Sequence, residues 1–569
     1  MTVSPDDAPW WTRAVVYQIY PRSFADSDGD GVGDLRGILE HVDHLADLGV
    51  DVVWLSPIYR SPQDDNGYDI SDYDDVDPLF GSLADLDALI EALHARGIKL
   101  VMDLVVNHTS DEHPWFTASR SATDDPRRDW YWWRPARPGT VPGAPGAEPT
   151  NWRSFFSGPA WQYDEATGEY YLHLFSRKQP DLNWENPQVR QAVYAMMRRW
   201  LDRGVDGFRM DVINLVSKVT SLPDGVVGVD GLGDGSPYYT CGPRIHELLH
   251  EMHEEVFAGR SGQLLTVGET PGVTLADAVA FTDPARGEVD MVFAFEHVDL
   301  GRGPGGKFDP VPVRLTELKE VLGRWQAGLG EVGWNSLYWS NHDQPRVVSR
   351  WGDESPASAK ALATLLHLHR GTPYVYQGEE LGMTNAHFTA VEQYQDIEVV
   401  NYVAQVRALG LVDEAHLLAG LATTSRDNAR TPVQWDAGPN AGFTSGEPWL
   451  TVNPNHVRIN AAAQRQDETS VLAHYRRLIA LRHDEPTVAL GDFTMLLPEH
   501  EQVYAFTRRL GADLLVVAVN VGAEPVEVDL GVPVEGAEVV HATHPDAVAP
   551  GPGPLRLRGW EALVLRPRG

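Results

Sequence analysis

Asp211, Glu269 and Asp343 each close a short run of β-forming residues, in Gly207-Phe208-Arg209-Met210-Asp211, Gly268-Glu269 and Asn341-His342-Asp343. Two carboxylates suffice to cleave a glycosidic bond with retention: one attacks the anomeric carbon and the other protonates the departing oxygen. A third acid would hold the sugar in a distorted geometry. Arg209 precedes Asp211 by two residues, so on a strand both side chains point to one face. A guanidinium there keeps a carboxylate ionised and aimed. Any one of these acids alone reads more simply as a strand-end ion pair or a helix cap. Three of them at three strand ends favour chemistry.

A second acidic pattern lies near the start, in Asp26-Ser27-Asp28-Gly29-Asp30-Gly31-Val32-Gly33-Asp34. Four aspartates occupy alternate positions, with one step taken by Val32. This is the oxygen-ligand spacing of an EF-hand-like calcium loop, with glycines for the tight turn. The glutamate that ends a full EF-hand is missing, and no helix precedes the loop. The competing reading is a solvated acidic turn.

Side chains on separate segments need a frame that brings their ends together. Strand-forming runs at 15–20, 52–56, 99–104, 207–211, 264–267, 291–295, 336–339 and 374–376 alternate with amphipathic stretches such as 83–95 and 189–202. Eight strands alternating with helices predict a (β/α)8 TIM barrel, whose function sits at the C-terminal ends of its strands. Those ends are polar here: Tyr20-Pro21-Arg22, Gly67-Tyr68-Asp69, Asp103 with Asn107-His108, and the three acids. The gap between the third and fourth strands is too long for one helix, and predicts an inserted subdomain over 109–178. The barrel is expected over 1–108 and 179–490. Beyond 490, runs at 503–507, 514–520, 526–529 and 562–566 predict an antiparallel β-sandwich over 491–569.

The bulk numbers fit this frame. A chain of 569 residues, 43% hydrophobic and 22% charged, is that of a globular protein of two or three domains. With 46 basic and 81 acidic residues the net charge is −35, which repels nucleic acid and anionic membranes but not a small neutral sugar. A single cysteine excludes an intrachain disulfide. No apolar run reaches the roughly 18 residues of a membrane span. The acidic N-terminus does not read as a secretion signal. A cytoplasmic protein is expected, monomeric or weakly homo-oligomeric.

Taken with Asp103-Leu104-Val105-Val106-Asn107-His108 and Gln179-Pro180-Asp181-Leu182-Asn183, these motifs make the chain resemble the α-amylase superfamily of glycoside hydrolases (family 13). Within it the chain looks like the oligo-1,6-glucosidase, dextran glucosidase and α-glucosidase group. The resemblance implies Asp211 as nucleophile, Glu269 as acid/base and Asp343 as transition-state stabiliser, with His108 and His342 on hydroxyls of the bound glucose. Asp65 and Arg430 match positions that pair and cap the non-reducing sugar, with Tyr68 stacked on its apolar face. That implies a closed pocket and exo action. Val212, directly after the nucleophile, goes in the family with α-1,6 preference. The group binds calcium at the loop of Asp26, Asp28, Asp30 and Asp34, with the Val32 carbonyl as a ligand; no catalytic cofactor is implied. The expected activity is therefore release of glucose from short α-glucosides with 1,6 preference. The alternative is an α-1,4-preferring or broad α-glucosidase with transglycosylation, or a sucrose isomerase or hydrolase. The stretch from Phe295 to Pro304 looks like the hydrolase form, not the arginine-rich isomerase form. A non-catalytic transporter subunit of this superfamily would need a membrane helix, which the sequence lacks.

Overall fold

The computed structural model describes residues 8–228, 230–410 and 413–568. The acidic start, Met1 to Asp7, on which the absence of a secretion signal was read, lies outside them. Eight strands form one sheet: β1 (Val16–Ile19), β2 (Val52–Leu55), β3 (Lys99–Val105), β4 (Gly207–Asp211), β5 (Leu265–Glu269), β6 (Met291–Phe293), β7 (Ser336–Leu337) and β8 (Thr372–Tyr376). Seven neighbouring pairs are parallel. A parallel bridge between Val292 and Asn335 joins β6 to the approach to β7 and completes the ring. The expected barrel is present. β6 and β7 end two residues earlier than their sequence runs, and β5 continues to Glu269.

The register explains why the acids meet. Val16, Trp54, Val101, Val267, Phe293 and Tyr374 pack together as one cluster, while their neighbours Tyr17, Val53, Leu100 and Met102 pack in another. Alternation along a strand makes these the two faces of the barrel wall. Asp103 follows Val101 by two residues, pairs in register with Arg209, and Arg209 in turn with Val267. Asp103, Arg209, Asp211 and Glu269 therefore share the face of Val101 and Val267, at the C-terminal ends of three adjacent strands. Gly207 opens β4 with φ 148°, and a Cβ there would lie 1.9 Å from the Leu265 carbonyl oxygen. Only glycine lets β4 and β5 approach this closely.

The helices are built as their ends suggest. Ser82 and Asp85 form a capping box on Leu83–His94. Pro187–Arg203 is capped by Asn186 and ends at Gly204 with φ 115°. Between β3 and β4 lie the helix Pro114–Ser121 and a three-stranded antiparallel sheet of Trp133–Arg134, Glu169–Leu172 and Trp161–Asp164. Its aromatic core, with Trp132, Trp152 and Trp161, also takes in Val212 and Leu215. The insert thus braces the segment that follows β4. After β8 come the helices Ile397–Ala408, Glu414–Thr424 and Asp427–Arg430. The chain ends in a five-stranded antiparallel sheet and a two-stranded one, packed over a shared apolar core. No helix among the described residues is long and apolar enough to cross a membrane.

Candidate active site

Arg209 is the hub. Its side chain is 1% exposed. Nη1 lies 2.7 Å from Asp211 Oδ1 and 2.8 Å from Asp103 Oδ1, and Nη2 lies 2.5 Å from Glu269 Oε1. Asp103 also accepts from Trp54 Nε1 at 3.1 Å and from Tyr68 Oη at 3.0 Å. The sequence reading gave this guanidinium to Asp211; the structure divides it among three buried carboxylates. One positive charge cannot offset three negative ones away from water. Burial pushes Asp211 well above the carboxylate range, with repulsion from Glu269 adding to it and Arg209 opposing. Burial raises Glu269 too, again against Arg209. The cluster therefore retains a proton that isolated carboxylates would lose, as a general acid requires.

Val212 occupies the left-handed region, at φ 36° and ψ 40°, a strained conformation for a β-branched residue. This turn points its N–H at Glu269 Oε2, 3.1 Å away. Glu269 is thus held at both oxygens, by Arg209 and by the backbone next to Asp211.

Asp343 sits across the site. Its Oδ1 receives Arg430 Nη2 at 2.8 Å and Arg426 Nη1 at 3.2 Å. Burial opposes ionisation, but the neighbouring His342 ring and the guanidiniums of Arg426 and Arg430 hold Asp343 far below the usual carboxylate range. Asp343 is the anion of the set, whereas the retained proton belongs to the cluster around Arg209, in which burial raises Asp103 as well as Asp211 and Glu269.

The expected pairing of Asp65 with Arg430 is not what the structure shows. The guanidinium nearest Asp65 Oδ1 is that of Arg426, at 3.4 Å. Arg430 instead binds Asp396 Oδ2 at 2.7 Å and donates through Nε to the His342 carbonyl at 2.9 Å. The two arginines are four residues apart on one turn of helix, so they share a face. Arg430 lies deeper. Arg426 reaches the rim, where it joins Asp65, Asp343 and Asp396 and lies over the Phe156 ring. Gln179 Nε2 donates to the other Asp65 oxygen at 3.0 Å, and burial pushes the Asp65 carboxyl up to about 7.

Both histidines are buried and neutral. Burial pushes His108 down to about 4 and His342 down to about 3. His108 Nε2 lies 3.1 Å from the Tyr68 carbonyl oxygen. His342 stacks on the Tyr68 ring at 5.1 Å between centroids, so one face of that ring is already covered.

A cavity of about 420 Å³ opens onto this cluster. Asp65, Tyr68, His108, Asp211, Val212, Glu269 and Asp343 line it, with Arg426. Arg209, His342 and Arg430 stand behind its wall. Sequence reasoning missed the aromatic side and Lys307, and it singled out the stretch Phe295 to Pro304 without naming its Arg302–Asp299 pair as lining. Phe155, Phe156 and Phe175 form an aromatic side, with Phe155 and Phe175 stacked at 5.0 Å. Lys307, from the antiparallel strand Gly306–Pro310, pairs with Glu398 at 2.6 Å, and Arg302 pairs with Asp299. The Phe155-Phe156 doublet was a visible signal; nothing in the sequence ties Lys307 to Glu398.

Away from the cavity, carboxylate oxygens of Asp26, Asp28 and Asp34 converge within 4.8 Å of one another. Asp30 is not in this group, and its Oδ1 accepts from the Val32 N–H at 2.8 Å. Asp34 also caps the helix Leu35–Glu40. Three converging carboxylates suit a hard cation with oxygen ligands.

Residues 18–491 match the family model described as "Alpha amylase, catalytic domain". An oligo-1,6-glucosidase of Parageobacillus thermoglucosidasius is 53% identical over 98% of this chain and 99% of its own length. Among solved structures, the trehalose-6-phosphate hydrolase of Bacillus licheniformis is 44% identical, with a TM-score of 0.91 over 98% of this chain and 100% of that one. The isomaltulose synthase of Klebsiella sp. LX3 is 42% identical, with a TM-score of 0.93 over 98% and 99%. The chain is a glycoside hydrolase of the α-amylase family, in its oligo-1,6-glucosidase and α-glucosidase group.

Proposed function

We propose that the protein is a retaining α-glucosidase that removes glucose from the non-reducing end of short α-glucosides, 1,6 bonds included. In this reading Asp211 attacks the anomeric carbon, Glu269 protonates the leaving oxygen and later activates water, and Asp343 stabilises the oxocarbenium-like transition state. One observation carries it: Arg209 binds Asp211 and Glu269 side by side in a cluster with too little positive charge to ionise fully. Retaining enzymes need carboxyls about 5–5.5 Å apart, against about 6.5–9.5 Å for inversion. The join of Arg426 to Asp65 and Asp343 supports a pocket closed behind one glucose, hence exo action.

The outer wall bears on the leaving group. Its two cations, Lys307 and Arg302, are each matched by an acid, Glu398 and Asp299. Paired charges favour a neutral sugar over a phosphorylated one. The relatives are named for different bonds and outcomes, which favours broad linkage use over the 1,6 preference expected from Val212. The likeness to an isomaltulose synthase supports a second reading, in which the glucosyl-enzyme passes glucose to a sugar instead of water. Proton NMR of the first product and product analysis on isomaltose, maltose, panose and sucrose test both. Initial release of β-glucose would overturn retention, and conversion of sucrose to an isomer would favour the second reading. We also assign Asp26, Asp28, Asp34 and the Val32 carbonyl to one structural calcium.

A further inference from the structure

We infer that Gln18, on β1, is a positioning residue that sets which ring nitrogen of His342 carries the proton, and through it the hydrogen-bond field around Asp343. Gln18 is 1% exposed. Its Nε2 lies 2.8 Å from His342 Nδ1 and 3.2 Å from Ser56 Oγ. An amide nitrogen can only donate. His342 Nδ1 therefore presents its lone pair, and the proton of the neutral ring sits on Nε2.

That nitrogen lies 3.5 Å from Asp343 Oδ2. Oδ1 of the same carboxylate is taken by Arg430 and Arg426. With the proton on Nε2, both Asp343 oxygens face positive hydrogen. Turning the Gln18 amide over would place Oε1 against Nδ1, move the proton there, and aim the Nε2 lone pair at a carboxylate. Repulsion disfavours that arrangement. The ring has little room to escape, being stacked with Tyr68 at 5.1 Å and with Tyr20 at 6.0 Å, with Trp54 edge-on at 6.0 Å. The charged groups around it are Asp343, Arg430, Arg209 and Arg426. Three cations against one anion, together with burial, keep the ring neutral, so the tautomer is what remains to be fixed. β1 carries none of the acids, yet through Gln18 it takes part in the site.

The inference rests on the transition-state role proposed for Asp343, but the proton position can be read without it. Neutron diffraction from deuterium-exchanged crystals of the whole protein is expected to show deuterium on His342 Nε2 and none on Nδ1. Deuterium on Nδ1 overturns the proposal. Gln18→Glu places an acceptor against Nδ1 and a new anion beside the ring. We expect kcat/KM to fall by about 10- to 100-fold, with the acid limb of the pH profile moved upward as the imidazolium gains a partner. Gln18→Met removes the donor without adding charge, and is expected to lower kcat/KM less and leave the acid limb in place. A folded Gln18→Glu protein with unmoved kcat/KM and pH profile overturns the positioning role. Should that variant not fold, the diffraction result in the wild type decides. An active Asp343→Asn protein would remove the role of Asp343 and leave the tautomer standing.

Discussion

At the scale of the residue, the proposed chemistry rests on unequal treatment of three acids. Asp343 is ionised by two guanidiniums, whereas Asp211 and Glu269 share one with Asp103. Asp211→Ala and Glu269→Gln are each expected to lower kcat on the order of 10³-fold or more with the fold intact; a folded Asp211→Ala enzyme with substantial turnover would show that the nucleophile lies elsewhere. The two arginines of the cap separate just as sharply. Arg426 touches the cavity, so Arg426→Ala should raise KM strongly, and because it also pairs with the buried Asp396 and Asp65 it should lower the melting temperature too. Arg430 is buried against Asp396 and Asp343. Arg430→Ala should destabilise by about 3–5 kcal/mol, because it strands buried carboxylates. Equal effects of the two variants on KM and on thermal unfolding would remove the distinction. Val212 acts through both its backbone and its side chain. If its bulk restrains the leaving sugar, Val212→Ala should raise the maltose-to-isomaltose ratio of kcat/KM by roughly 10-fold; an unchanged ratio would assign linkage choice to the Lys307 and Glu398 side of the cavity.

At the scale of the element, the strands were legible and the depth of side chains was not. β1 to β5 and β8 are buried on both faces, which is what a parallel barrel demands, and their apolar residues, interrupted by a few polar ones that belong to the site, mark their positions. β6 and β7 stop short of their apolar runs: after β6, Phe295 lines the cavity, and after β7, Tyr338 and Trp339 stay buried and donate to the Ala294 and Leu362 carbonyls. Asp211 and Glu269 were readable because a strand end fixes direction. The choice between Arg426 and Arg430 was not, since one helical turn carries both and only tertiary packing decides which reaches the rim. Asp396 and Glu398 lie before and within a helix of weak amphipathic pattern, with no local mark of their contact with the arginines. The acidic loop shows the same limit: spacing suggested four aspartates, and the backbone brings three together. If those three hold calcium, adding it to metal-stripped protein should raise the melting temperature, with about 2.7 kcal/mol gained at 100-fold excess over Kd. Asp28→Asn should abolish that gain while leaving kcat within a small factor. A melting temperature indifferent to calcium would return the loop to an acidic turn.

At the scale of the whole molecule, the barrel and the C-terminal sheets are joined through buried histidines, which add to those of the site in the response to acid. His474 Nε2 lies 2.8 Å from Thr364 Oγ1 and 3.4 Å from His541 Nε2, linking two barrel helices to the strand Glu538–Ala542. His369 reaches Tyr504 Oη at 3.0 Å on the strand Val503–Leu510. Burial pushes His541 down to about 4 and His369 and His367 down to about 3, and holds His474 well below its ordinary value. These rings are neutral when folded and ordinary, near 6.5, when unfolded. The unfolded chain therefore binds more protons between the two values, and stability must fall as pH drops. The contribution is complete above about 6.5 and is lost progressively toward about 4 for His541 and about 3 for His369 and His367. We expect the denaturant midpoint to decline steeply over that interval, with the C-terminal sheets separating in the same transition. His541→Gln removes one titrating ring and should flatten the slope by close to one proton, even if it lowers stability at pH 7. Chemical denaturation of both proteins across this range measures that slope directly, and parallel curves would show that the histidines between barrel and sheet do not govern acid unfolding.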